Sequence, residues 1–247
     1  MGNNRSEYLE MLTGCYLPNF FSFAVRRTSN TQEAEELAQE TASRTFFHFS
    51  SLSFAKNMIE FIRKRDDYTM RLFIAINFDE NVKQKLIATQ NKLREYAVAG
   101  NFTKEENLHL TLVFLGETES SRLGIIKSVI DKVESQRFET ILNGTGKFSR
   151  HGSDLVWVGI EKNACLDKIQ SQLYKGLSSA GFTLENRPFS PHLTIAREVK
   201  LKSGFDFALF SVETPMMKTS VNKISLMLSE RIRGNLIYTE IYAKELP

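Results

Sequence analysis

The chain holds four histidines, and two of them stand in matching frames: Leu108-His109-Leu110-Thr111-Leu112 and Pro191-His192-Leu193-Thr194-Ile195. Successive side chains of a β-strand alternate between faces, so residues two apart share one face. His109 and Thr111 are therefore expected on one surface, with Leu108, Leu110 and Leu112 turned into a core. His192 and Thr194 repeat this, with Leu193 and Ile195 buried. Imidazole titrates near neutral pH, so one copy can hold a proton while the other lacks it. A hydroxyl two residues on can donate to an anionic oxygen. Two such strands side by side supply an acid, a base and two anion donors. That set suits in-line displacement at phosphorus, with water attacking on one side and an alkoxide leaving on the other.

The flanking residues extend the match. Asn107-Leu108-His109-Leu110-Thr111-Leu112-Val113-Phe114-Leu115-Gly116-Glu117 and Arg187-Pro188-Phe189-Ser190-Pro191-His192-Leu193-Thr194-Ile195-Ala196-Arg197 closely resemble the two signatures of the 2H phosphoesterase superfamily. Within it they look most like the RNA 2′,3′-cyclic phosphodiesterases, also called LigT-like or 2′-5′ RNA ligase-like proteins. The resemblance runs from about Met70 to the end. It implies an α+β fold of two pseudo-symmetric lobes with both motifs lining a cleft. It also implies a substrate, an RNA terminus or nucleotide carrying a 2′,3′-cyclic phosphate, opened to a 2′-phosphate without a metal or other cofactor. In that reaction the resemblance makes His109 the proton donor to the leaving 3′ oxygen and His192 the proton acceptor from water. Thr111 and Thr194 would hold the non-bridging oxygens. The resemblance also implies reversible 2′-5′ RNA ligase activity at the same two histidines. The same motifs leave open other substrates of the superfamily: ADP-ribose cyclic phosphate, cyclic nucleotides or 2′-5′ oligonucleotides. A non-catalytic RNA-end binding module is a further alternative, although binding alone has no need of an acid-base pair.

Arg197 lies three residues after Thr194, so a regular strand would turn it away from His192. It would reach the phosphate only through a bend or at the strand end. The family pattern carries an arginine there, which makes Arg197 a candidate phosphate or RNA contact. Phe148 and Trp157 are candidates for stacking on a base, and core packing explains them equally well. Arg150 is either an RNA backbone contact or a solvated turn charge. His151, in a Gly-Ser turn, is expected to face solvent, and His48 to carry no chemistry. Neither motif histidine has a second His, Cys or carboxylate at ligand spacing on its strand, so no metal site is expected.

The elements that must position these residues follow from the apolar pattern. Leu72 to Ile76 reads as a buried strand. Asp79 can cap a helix with Val82, Leu86, Gln90, Leu93 and Ala97 inside, ending at Gly100. Residues 101–107 read as a polar loop into the first motif strand, which Gly116 breaks. A helix with Leu123, Ile126, Val129 or Ile130, and Val133 inward follows. Residues 138–148 suggest a bent strand, 150–153 a turn, and 155–160 another strand. Leu166, Ile169, Leu173 and Leu177 mark a helix closed by Gly181. After the second motif come strands over 223–229 and 236–244, joined by a turn around Arg233-Gly234-Asn235.

Residues 1–69 read differently, as a helical extension ahead of a 2H domain over 70–247. Tyr16, Phe20, Phe23, Ala24 and Arg27 follow helical spacing, and Ala34, Leu37, Ala38, Thr41, Ala42 and Thr45 make a second stripe. Residues 16–47 resemble the opening of the second conserved region of RNA polymerase sigma factors, but the DNA-reading continuation is not recognisable after Phe49. The expectation is an amphipathic helical hairpin that docks on the catalytic domain or on a protein partner. The net charge of +3 permits an anionic ligand without marking a general nucleic-acid binder. Cys15 and Cys165 have no metal spacing and are compatible with a reducing compartment. No apolar run reaches membrane-spanning length and no signal-peptide pattern is present, so no membrane partner and a cytoplasmic location are expected. Met1-Gly2-Asn3-Asn4-Arg5-Ser6 fits the short, loose pattern for myristoylation.

Overall fold

A computed structural model of the chain describes residues 69–150 and 152–247, without the side chain of Arg150. The helical extension, the sigma-like segment, His48, Cys15, the N-terminal myristoylation pattern, His151 and the Arg150 side chain lie outside the described residues. In chain order the elements are β1 (Thr69–Asn77), α1 (Glu80–Glu95), β2 (Ala97–Phe102), a 3-10 turn (Glu105–Asn107), β3 (His109–Glu119), a second 3-10 turn (Ser120–Arg122), α2 (Leu123–Asp131), β4 (Phe138–Arg150), β5 (Ser153–Ile160), α3 (Ala164–Ser179), β6 (His192–Leu201), α4 (Phe207–Glu213), β7 (Met217–Val221), β8 (Lys223–Ile232) and β9 (Asn235–Glu245). They form two sheets, one ordered β3-β1-β8-β9 and one ordered β2-β6-β5-β4-β7. Every pairing is antiparallel. Each motif strand sits in its own sheet, so the α+β, two-lobed architecture expected from the sequence is the one observed.

The two sheets share one apolar core. Leu72, Ile74 and Ile76 of β1, Leu110 and Leu112 of β3, and Leu193 and Ile195 of β6 belong to it. Three helices enclose it by amphipathic stripes. Asp79 caps α1 by accepting from the Val82 amide at 2.9 Å, and Val82, Leu86 and Leu93 are buried at helical spacing. Asn163 caps α3 by accepting from the Cys165 and Leu166 amides, and Leu166, Ile169, Leu173 and Leu177 are fully buried. Ile126 and Ile130 do the same for α2.

Three expectations need correction. The first helix stops at Glu95 and does not run to Gly100. Residues 97–102 leave it to form the edge strand β2, which pairs with β6. Small, mostly exposed residues give this strand little apolar signal, and Gly100 lies so close to β6 that a Cβ there would meet Val199 at 3.2 Å. Secondly, Gly116 does not end β3. The strand runs through it to Glu119, because a glycine adopts the positive φ of 71° that a bulge opposite Leu72 and Phe73 requires. Thirdly, α4 and β7 were not expected. Each is short, and Asp206 caps α4 through the Leu209 amide.

The loop after β2 ties the sheets together at the functional end. Buried Gln90 of α1 donates through Nε2 to the carbonyls of Thr103 (2.8 Å) and Ile195 (2.6 Å). Thr103 donates its amide to the Ile195 carbonyl (2.9 Å) and its hydroxyl to the Thr194 carbonyl (3.0 Å). From this anchor beside the second motif, the chain passes through the 3-10 turn and becomes the first motif strand. That short path brings the two motifs, far apart in sequence, into one neighbourhood.

Candidate active site

Both motif strands begin at their histidine, and both carry the same irregularity. Across β1 and β3, Ala75 faces Thr111 but Ile74 faces Val113, so an extra residue sits in β3 just after its threonine. Across β5 and β6, Trp157 faces Thr194 but Val156 faces Ala196, so β6 bulges at the same place. The burial pattern records the consequence. Leu112 and Val113 are both buried, as are Ile195 and Ala196, and alternation resumes one residue late. A bulge of this kind re-aims the side chains beyond it. Arg197 thereby returns to the face of His192 and Thr194, which strict alternation had denied it. Phe114 gains the matching position on the other strand and is exposed there.

The two imidazoles are anchored alike. His109 Nδ1 lies 2.7 Å from the carbonyl of Asn107, and His192 Nδ1 lies 2.8 Å from the carbonyl of Ser190. A carbonyl only accepts, so each Nδ1 carries a hydrogen and each Nε2 is left for chemistry. In His109, Nε2 meets Thr111 Oγ1 at 2.9 Å. With Nδ1 protonated, the neutral ring accepts from that hydroxyl. Asn107 is itself held by its Nδ2, which donates to the Leu236 carbonyl at 2.9 Å.

Aromatic rings fix the orientation of both histidines. Phe73 packs on His109 with centroids 4.7 Å apart, and Tyr238 meets it edge-on at 5.1 Å. Phe148 meets His192 edge-on at 5.4 Å and Trp157 lies 5.9 Å from it. Trp157 lies across Gly146, where a Cβ would fall 2.1 Å from the indole. Thus Phe148 and Trp157 line the His192 side of the site. Phe73, Tyr238 and Asn107 were not singled out from the sequence. One signal was available for Asn107 and Ser190: each stands two residues before its histidine.

Burial, against the opposing effect of the Asn107 carbonyl and with a smaller contribution from the Arg197 guanidinium, lowers the His109 pKa to about 4. Arg197 belongs to the other sheet, so its field reaching His109 places it near both motifs. Burial raises the Tyr238 pKa, while Arg197 and Arg71 pull it the other way. At neutral pH the His109 side of the site therefore holds a neutral imidazole, a neutral phenol and the Arg197 guanidinium, while Arg71 is paired with Glu117 at 3.7 Å. This arrangement favours a bound anion. Among the described residues no three His, Cys, Asp or Glu side chains gather as a metal site. No helix among them is long and apolar enough to cross a membrane.

Comparison with known proteins places this geometry. Residues 82–233 match the model of the 2'-5' RNA ligase superfamily. A Thermotoga maritima protein named RNA 2',3'-cyclic phosphodiesterase is 31% identical over 176 residues, covering 70% of this chain and 94% of that one. An Escherichia coli protein of the same name is 26% identical over 174 residues, covering 69% and 93%. The crystal structure of E. coli LigT in its apo form superposes with a TM-score of 0.60 at 26% identity, over 72% of this chain and 98% of that one. LigT complexed with 3'-AMP gives 0.61 at 25% identity over the same shares. The fold, the paired motifs and the extent of these matches agree: the chain belongs to the 2'-5' RNA ligase superfamily.

Proposed function

We propose that the chain is an RNA 2′,3′-cyclic phosphodiesterase, which opens a terminal cyclic phosphate to a 2′-phosphate by paired-histidine acid-base catalysis. The observation that carries this reading is the pair of Nδ1-anchored imidazoles with Arg197 bulged onto their face. In the proposed step His192 Nε2 takes a proton from water as its oxygen bonds to phosphorus. The bond from phosphorus to the 3′ oxygen breaks, and His109 delivers its Nε2 proton to that oxygen. Thr111, Thr194 and Arg197 take the charge on the non-bridging oxygens. Each acid-base role contributes about 10²–10⁴-fold. Phe148 and Trp157 offer rings beside His192 for a nucleobase. With the 5′ hydroxyl of a second RNA in place of water, the same step breaks the same bond and gives a 2′-5′ linkage; reversal of that step, with the histidine roles exchanged, is 2′-5′ cleavage.

His109 is neutral in the free protein, so the donor role requires that binding of the phosphate anion make His109 take up a proton from solvent. The anion's charge acts in the needed direction. The same proposal assigns residues 1–69 to a helical docking extension, residues 70–247 to catalysis, and the protein to the cytoplasm.

The test is a short RNA ending in a 2′,3′-cyclic phosphate, incubated in EDTA with the full chain, a chain starting at Met70, His109→Ala and His192→Ala. Conversion to the 2′-phosphate by the first two and loss in both variants is expected. No conversion by either unsubstituted protein would overturn the assignment. ADP-ribose cyclic phosphate and 2′-5′ oligonucleotides, run in parallel, would then show which substrate the site takes. Activity in the full chain alone would overturn only the docking role of residues 1–69.

A further inference from the structure

The hairpin of β8 and β9 reaches well beyond the sheet it belongs to. Pairing of β1 with β8 ends at Leu72 and Leu228, yet β8 and β9 stay paired as far as Ile232 and Asn235. Residues 229–238 therefore project from the sheet, and they return to the active site. Tyr238 packs edge-on against His109. The Leu236 carbonyl accepts from Asn107, whose own carbonyl anchors His109. Asn235 Oδ1 accepts from Lys104 at 3.1 Å. The hairpin is thus a wall of the site, with its tip on the rim above the loop that leads into the first motif.

That tip is cationic. Arg231 and Arg233 are exposed, and neither forms an ion pair with a described residue. The rim also carries Glu230 and Glu106, while Glu105 of the neighbouring turn points away to Gln84 at 3.0 Å. Arg233 and Gly234 form the two-residue connection with φ of 50° and 81°. Such a turn favours asparagine or glycine at its first position. An arginine held in the left-handed region lowers stability, which points to a use for its charge.

We infer that Arg231 and Arg233 bind the phosphodiester backbone of the RNA upstream of its terminal cyclic phosphate. This rests on the phosphodiesterase reading and deepens it, because it makes the substrate an RNA strand end in preference to a mononucleotide. About five residues of strand separate Tyr238 from Arg233, roughly 15 Å, too far for a terminal nucleotide at His109 and within reach of the chain that precedes it. Contacts of this type are independent of base sequence and weaken with salt.

The experiment compares a nucleoside 2′,3′-cyclic phosphate with a short RNA ending in the same cyclic nucleotide, each at low and moderate salt. The unsubstituted protein is expected to show kcat/KM about ten-fold higher for the RNA at low salt, with the advantage shrinking as salt rises. The Arg231→Ala/Arg233→Ala variant is expected to lose that advantage and its salt dependence, with the mononucleotide rate unchanged. Arg233→Lys, tested singly, retains most of the advantage. Arg233→Asn loses its share of it while raising Tm, since asparagine suits the turn. Equal kcat/KM for the two substrates, or an equal loss on both in the double variant, would overturn the inference and leave the phosphodiesterase reading standing. Failure of the unsubstituted protein to turn over either substrate would overturn both.

Discussion

Proton uptake on anion binding is the sharpest consequence of the His109 environment. The perturbation is binding of a 2′,3′-cyclic phosphate to the His192→Ala variant, in which turnover is blocked and the second imidazole is gone. In the free protein His109 titrates at about 4, chiefly through burial. At pH 7 about one molecule in a thousand then carries the proton that the donor role needs. Half-protonation at that pH requires the pKa to rise to about 7, which is about 4 kcal/mol of attraction to the bound anion. A unit charge about 4 Å away supplies about 4 kcal/mol at an effective dielectric constant of about 20. One phosphate monoanion within hydrogen-bonding reach of Nε2 therefore suffices. The cyclic phosphate does not itself titrate near neutrality, so the proton count belongs to the protein. Calorimetry at pH 6 in buffers of differing ionisation enthalpy is expected to show uptake of about 0.9 proton per ligand. Histidine-selective NMR is expected to show His109 moving from about 4 in the free protein to near 7 in the complex. By linkage, affinity should fall up to about ten-fold per pH unit between those values. Binding without proton uptake, or a free-state titration near 6.5, would rule out anion-driven protonation of a buried neutral His109.

The same depressed pKa sets an acid limit on stability. A histidine buried neutral contributes fully above its unfolded value near 6.5 and progressively less as pH falls toward about 4, for a total of about 3 kcal/mol. Urea midpoints measured across that window should fall in the unsubstituted protein, and the part due to this site should vanish in His109→Asn. Arg197→Ala is expected to lower kcat/KM about 10²-fold by removing charge from the phosphate. It should also raise the His109 pKa in the free protein, which NMR titration reads independently of activity. Gly146→Ala drives a methyl into Trp157. It is expected to cost about 1–3 kcal/mol by thermal denaturation and to change the near-ultraviolet dichroism of this lone tryptophan.

Period-two and period-3.6 patterns were legible in the sequence because burial enforces them. The stripe of α3 and the alternation of His109 with Leu110 and Thr111 could be read from residue types alone. The paired His-x-Thr motifs, with their flanks, pointed to the chemistry and the family by residue type and spacing alone. Local pattern could not register where a strand adds a residue. The bulge at Ile195 and Ala196 reverses the parity that put Arg197 on the wrong face, and nothing in those two apolar residues announces it. It arises from pairing with β5, a contact between distant segments. The edge strand β2 was hidden for a similar reason: Ala97 to Phe102 becomes a strand by docking on β6, not through its own apolar content. Tyr238 and Phe73 likewise read as ordinary strand residues until the β8–β9 hairpin folds back to His109. Sequence determined which groups could do the chemistry, because side-chain type is local. Tertiary structure decided which of them meet, and moved the His109 pKa, because both depend on neighbours brought from far along the chain.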